Sequence, residues 1–155
     1  KKSSDFRTGT WNGYDAEGRA LWSSEMRYGL VHGRTSLYSD GEVILSSSYR
    51  FDAEDGSCFM NDSTGALSVQ DIYKKGLLVK TIKYFSNGKK KSINRFEGVD
   101  ARFRYKKAIF HGKQEYYDAN EELVKIEYYT SGVLGRIEFI EKGKIKRTAI
   151  SDLVF

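Results

Sequence analysis

Apolar and polar positions alternate one for one along much of this chain. Val124, Ile126 and Tyr128 fall on one face of an extended segment and Lys125, Glu127 and Tyr129 on the other, while Ile137 and Phe139 flank Glu138. A period of two is the mark of a half-buried strand. The alternating stretches are punctuated by Asp40-Gly41 and Asn87-Gly88, pairs that supply the positive φ of a tight hairpin turn. A second class of turn is expected at Tyr28-Gly29, Lys75-Gly76, Glu97-Gly98 and Lys142-Gly143. The pattern therefore predicts many short antiparallel strands joined by hairpins.

The hairpins repeat. Gly9-Thr10-Trp11-Asn12-Gly13-Tyr14, Gly33-Arg34-Thr35-Ser36-Leu37-Tyr38 and Gly112-Lys113-Gln114-Glu115-Tyr116-Tyr117 each place an aromatic five residues after a glycine. A polar turn follows each: Asp15 to Gly18, Ser39 to Gly41, and Asp118 to Glu121. Weaker copies begin near Gly56, Lys80 and Gly135, so the frames start near 9, 33, 56, 80, 112 and 135. A period of about 23 residues holds two strands and two turns, and units that cannot bury a face alone gain stability by stacking on their neighbours. The expected fold is all-β, one elongated antiparallel hairpin array over residues 1–155. Residues 89–111 form an irregular insertion in it, and 148–155 a C-terminal cap or tail.

These residues resemble the MORN repeats, and more closely the variant form common in bacterial proteins, some of which are labelled antitoxin components. The likeness lies in Gly-x-Trp-x-x-Tyr at 9–14, Gly-x-x-x-x-Tyr at 33–38 and 112–117, the Asp/Asn-Gly turns and the period, and it covers residues 9–147. The Tyr-x-Gly-x-Trp core of the classical repeat is absent, and one repeat alone has Trp at the third frame position. The resemblance implies a hairpin array used for protein or membrane association, without cofactor or catalysis.

Composition sharpens this picture. Leu, Ile, Val and Phe make up 37 of 155 residues, enough to fold but with a lean core. No run approaches the ~18 apolar residues of a membrane-spanning helix. The single cysteine, Cys58, excludes an internal disulfide framework. The chain opens Lys1-Lys2-Ser3-Ser4 without Met, which fits either a processed or a trimmed end and tilts the expectation towards an exported or envelope protein. Charge is unevenly divided: residues 1–78 carry 9 Lys+Arg against 11 Asp+Glu, and residues 79–155 carry 17 against 10.

Candidate chemistry is sparse. His32 and His111 each precede a frame glycine, so they occupy one repeat position twice, which fits a turn role better than a catalytic or metal role. Cys58 reads as a small core thiol, with a nucleophile as the alternative. Asp52, Glu54, Asp55 and Asp62 lack the glutamate that ends a calcium loop, that place being Ser63, and read as a polar turn cluster. The strongest candidate binding surface is Lys89, Lys90, Lys91, Arg102, Phe103, Arg104, Tyr105, Lys106 and Lys107, in a stretch where Arg95, Phe96 and Phe110 also fall. Interleaved cations and rings suit an anionic polymer or headgroup surface. The alternation in Arg102-Phe103-Arg104-Tyr105 favours the plainer reading, in which the rings fill the sheet and the cations face water.

The expected function is a non-catalytic protein-interaction or scaffold module, in the manner of an adaptor, immunity or antitoxin protein, with no cofactor. The alternative is a binder of an anionic surface, lipid headgroup before nucleic acid, through the basic half. The expected partner is another protein, with this chain a monomer or an edge-paired dimer.

Overall fold

The computed structural model describes residues 7–99 and 108–150. Strand accounts for 74% of them, and none lies in a helix. The chain divides into two compact units, residues 1–76 and 77–155. The charge division of the sequence falls at the same boundary, because Leu77 and Leu78 are uncharged.

The first unit contains β1 (Gly9–Tyr14), β2 (Ala20–Arg27), β3 (Leu30–Ser39), β4 (Glu42–Arg50), β5 (Ala53–Asn61) and β6 (Leu67–Lys74), an antiparallel meander in chain order. The second contains β7 (Leu77–Tyr84), β8 (Lys90–Val99), β9 (Ala108–Phe110), β10 (Gly112–Tyr117), β11 (Leu123–Thr130), β12 (Val133–Glu141) and β13 (Lys144–Ile150). It is a meander of the same kind, in which β8 pairs with β7 and with both β9 and β10. Among the described residues neither meander closes on itself. Of the expected tail, Thr148–Ile150 belong to β13 and the rest lies outside the described residues.

Two turn chemistries alternate. In the first, Asp15, Asp62 and Asp118 each open a five-residue connection whose side-chain Oδ1 accepts backbone N–H groups two and four residues on, at 2.8–3.1 Å. The fourth residue has positive φ and is Gly18, Gly65 or Gly88 in three connections and Glu121 (φ +70°) in another. The second chemistry is a two-residue turn with both φ positive, at Tyr28-Gly29, Lys75-Gly76, Ser131-Gly132 and, without any glycine, Phe51-Asp52. Asp40-Gly41 and Lys142-Gly143 have the same pair of φ signs at the opposite ends of their strands. Glu97-Gly98 is not a turn. It lies inside β8, which runs on to Val99 and pairs back with β9, Phe96 opposite Phe110. The insertion thus lengthens one hairpin, while Ser92–Arg95 pair in step with β7 and a bulge at Lys91 shifts the register before Lys90↔Tyr84.

The frame glycines mark a recurrent bulge. Between the pairs Ser24↔Thr35 and Met26↔Val31, β2 contributes one residue and β3 three, with Gly33 in the middle. Gly56 holds the same place opposite Ser48, between Ser47↔Cys58 and Tyr49↔Glu54. At Gly33 φ is +114°, and an added Cβ would sit 1.9 Å from Glu25 Oε2. Two extra residues push the strand outward. The following turn then reaches back to it: Gly29, Asp52, Gly76 and Gly132 donate N–H to the carbonyls of Arg7, Val31, Glu54 and Phe110 at 2.8–2.9 Å. Each acceptor lies two residues before a frame glycine, so at the frames of Gly9, Gly33, Gly56 and Gly112 a backbone hydrogen bond ties one hairpin to the next.

The core is as lean as composition predicts. Only Cys58 and Ile126 are buried among the described hydrophobic residues, against nine buried polar or charged residues, Ser24, Ser36, Ser47 and Gln114 among them. Stability must therefore come from cross-strand pairs, at ~0.2–1 kcal/mol each, rather than from a second packed layer.

Candidate interaction surface

Register assigns each side chain of the first unit to a face. Trp22, Leu37, Leu45, Met60 and Val69 are directly paired in succession from β2 to β6 and form one unbroken apolar row, with Gly13 of β1 at its end. The neighbouring row on that face is Trp11, Ser24, Thr35, Ser47, Cys58 and Asp71. On the opposite face the row between these two carries Asn12, Ser23, Ser36, Ser46, Phe59 and Gln70, polar but for Phe59, while Tyr38 paired with Val43, Leu67 and Ile72 also lie on that face. Trp22 and Leu37 each remain 39% exposed and Trp11 42%. Trp22 lies close over Gly13, where a Cβ would meet the indole Nε1 at 2.1 Å. Both tryptophans of the chain stand on this face.

The ends of these strands are oppositely charged. The connections next to the apolar row carry Asp15, Glu17, Asp40 and Asp62, with Glu42 opening β4, against Arg19, and Arg19 is itself bonded to Asp15 (2.6 Å) and Glu17 (3.3 Å). The other strand ends carry Arg27, Arg50 and Lys74, with Lys75 in the turn that follows, against Asp52 and Glu54. Backbone N–H donors, with the Arg19 side chain at Asp15 and the Thr64 hydroxyl at Asp62, hold both carboxyls below the ordinary aspartate value, so the row's rim is anionic at neutral pH.

In the second unit most described cations already have partners. Lys113 (2.8 Å) and Arg95 (2.6 Å) converge on Glu115, Lys125 binds Glu127 (2.8 Å), and Arg136 binds Glu138 (3.2 Å). Lys125, Arg136 and Arg147 also stand over the rings of Tyr116, Tyr128 and Phe139 at 4.1–4.3 Å. Of the sequence-derived surface, Lys90 pairs with Glu121 (3.2 Å) and Lys89 Nζ donates to the Asn120 carbonyl (3.4 Å). Lys91 stands 5.6 Å from the centre of the Phe85 ring. Arg102, Phe103, Arg104, Tyr105, Lys106 and Lys107 lie outside the described residues. Phe96 and Phe110 stack (5.2 Å), and Phe110 meets Tyr129 (5.1 Å), so these rings pack within the sheet.

The histidines lie beside turns rather than in them. His32, within β3, packs on Phe51 with ring centres 4.5 Å apart. His111, between β9 and β10, approaches Glu97 (2.8 Å) and the amide of Ser131 (3.4 Å). Phe51 and Ser131 are each the first residue of a two-residue turn, so the shared frame position has a shared structural neighbour. Burial pushes the Cys58 thiol up, and the charges of Asp71 and Glu54 add to this, which disfavours the thiolate. Asp52 and Asp62 stand in connections at opposite ends of β5. Among the described residues no three His, Cys, Asp or Glu side chains are grouped to hold a metal ion.

Sequence patterning missed the apolar row, because its members come from five strands and only the register aligns them. No protein-family model matches the chain, and no curated protein does. Among solved structures, a likeness is found to the crystal structure of a GtfA/B complex bound to UDP and GlcNAc, with 17% identity and a TM-score of 0.32. It covers 77% of this chain and 22% of that one, so the present chain spans about a fifth of its length. No helix among the described residues is long and apolar enough to cross a membrane.

Proposed function

We propose that this chain is a non-catalytic protein-interaction module of MORN-like hairpin repeats, and that its tryptophan-bearing face receives the partner. The observation that carries this reading is the row Trp22-Leu37-Leu45-Met60-Val69, continuous across five strands and still partly open to water. Aromatic and aliphatic anchors that are half exposed in the free protein are what an interface buries, at ~1.5–3 kcal/mol for each large side chain fully removed from water. In the second unit the described cations are largely bound to glutamates and rings, which weakens the competing reading of a basic half that grips anionic surfaces.

The test is a capture experiment with the purified chain on lysate and envelope fractions, washed at low and then high salt. A protein retained near one-to-one through the high-salt wash, and lost from a Leu37→Asp/Leu45→Asp variant, supports the module. Lipid or nucleic acid released by salt, and lost when Lys89, Lys90 and Lys91 are neutralised, moves the function to the basic half.

A further inference from the structure

The geometry points to the class of segment that the tryptophan face takes: an amphipathic helix with an apolar stripe and a flank of lysine or arginine. This rests on the interaction-module reading and adds the partner's chemistry to it. The row runs across the strands, so its side chains follow the interstrand spacing of ~4.8 Å. An α-helix presents one apolar position per turn, every ~5.4 Å, and matches that step closely. An extended peptide presents same-side residues every ~6.6 Å and falls out of step after two or three strands. From β2 to β6 the row is about 19 Å long, the length of some 3.5 helical turns.

Charge sets the flank. A helix lying on the row has the connections carrying Glu17, Asp40 and Asp62, with Glu42 opening β4, along one side. Arg19, the one cation there, is already bonded to Asp15 and Glu17. The row's other neighbour on the face holds Ser24, Thr35, Ser47 and Cys58, small side chains that leave room for the helix body, and ends in a single carboxylate, Asp71, on β6. Cations on the acidic side gain Coulomb energy and fix the direction in which the stripe is laid.

Because both tryptophans stand on this face, their emission reports the event directly. The full chain is titrated with three synthetic peptides lacking tryptophan: a Leu-stripe helix with Lys flanks, the same helix with Glu flanks, and an alternating Leu-Lys strand peptide. The expected result is a saturable blue shift with the Lys-flanked helix, weakened about tenfold by Asp40→Asn/Glu42→Lys, and unchanged by Arg27→Glu/Lys74→Glu at the opposite strand ends. Circular dichroism of each variant separates lost binding from lost folding. Equal or tighter binding of the Glu-flanked helix or the strand peptide overturns the partner chemistry while leaving the face as a docking surface. No shift with any peptide, or shifts indifferent to Leu37→Asp, overturns both.

Discussion

Val31 and Asp52 bond each other twice: the Asp52 amide donates to the Val31 carbonyl at 2.9 Å, and the Val31 amide donates to Asp52 Oδ1 at 2.6 Å. Asp52 occupies a turn position with φ +63°, where Gly29, Gly76 and Gly132 stand in the equivalent turns. The carboxylate offsets the strain of a side chain in the left-handed region by adding a second bond between hairpins. Asp52→Ala is therefore expected to lower stability by ~1–3 kcal/mol, and Asp52→Asn by distinctly less, since Asn tolerates this φ and keeps the acceptor. Urea unfolding of the two variants checks the order.

Glu121 presents the opposite case. It holds φ +70° in a connection where the other three examples use glycine, and its gain is a half-exposed pair with Lys90 at 3.2 Å. Surface pairs of this kind contribute at most ~1 kcal/mol, and the left-handed region costs a non-glycine residue ~1–2 kcal/mol. Glu121→Gly should raise the urea midpoint of the second unit. An unchanged or lowered midpoint contradicts this account of the turn.

Gln114 has no exposed surface and ties β10 to β8 just beyond the pair Glu115↔Ile93. Its Oε1 accepts from the Arg95 amide (2.7 Å), and its Nε2 donates to the carbonyls of Arg95 (3.0 Å) and His111 (3.1 Å). Gln114→Ala strands these backbone groups and is expected to destabilise by ~2–4 kcal/mol, since each buried group left unpaired costs ~1–3 kcal/mol. Hydrogen exchange at Arg95 in the variant should accelerate more than at Ile82.

Acid acts with opposite sign on Glu115 and Glu127 of the second unit and on Glu54 of the first. Burial pushes Glu115 up, but its bonds from Lys113 and Arg95 outweigh this and hold it below the ordinary glutamate value of 4.5; Glu127 is held down likewise by Lys125 and Tyr116. Their contribution is present above about pH 4.5 and is lost as pH falls through the lowered values. Glu54 is raised by burial and by Asp71, so its contribution is present below the ordinary value and is lost as pH rises through the raised one. Unfolding followed against pH should show the second unit weakening first on acidification, and Glu115→Gln should flatten that dependence.

The strands and most turns were legible because their signals are local. Alternation such as Lys125-Ile126-Glu127 and pairs such as Asp40-Gly41 act over a few residues, and the structure has a strand and a turn there. Glu97-Gly98 misled because β8 runs on through it and pairs back with β9, so long-range pairing overrides a local turn signal. Phe51-Asp52 was invisible as a turn because its positive φ is supported by a bond to Val31, twenty-one residues earlier in sequence. The apolar row was hidden for a related reason, since Trp22 and Leu37 become neighbours only through the register of β2 and β3.

The most direct test of the central claim places a photo-crosslinking residue at Leu37 on the tryptophan face or at Arg34 on the opposite face, both exposed positions of β3. Each protein is irradiated in lysate of the source cells. The account predicts a discrete protein adduct from position 37 that excess unmodified chain competes away, and none from position 34. Adducts from position 34 alone, equal adducts from both, or none from position 37 would contradict it.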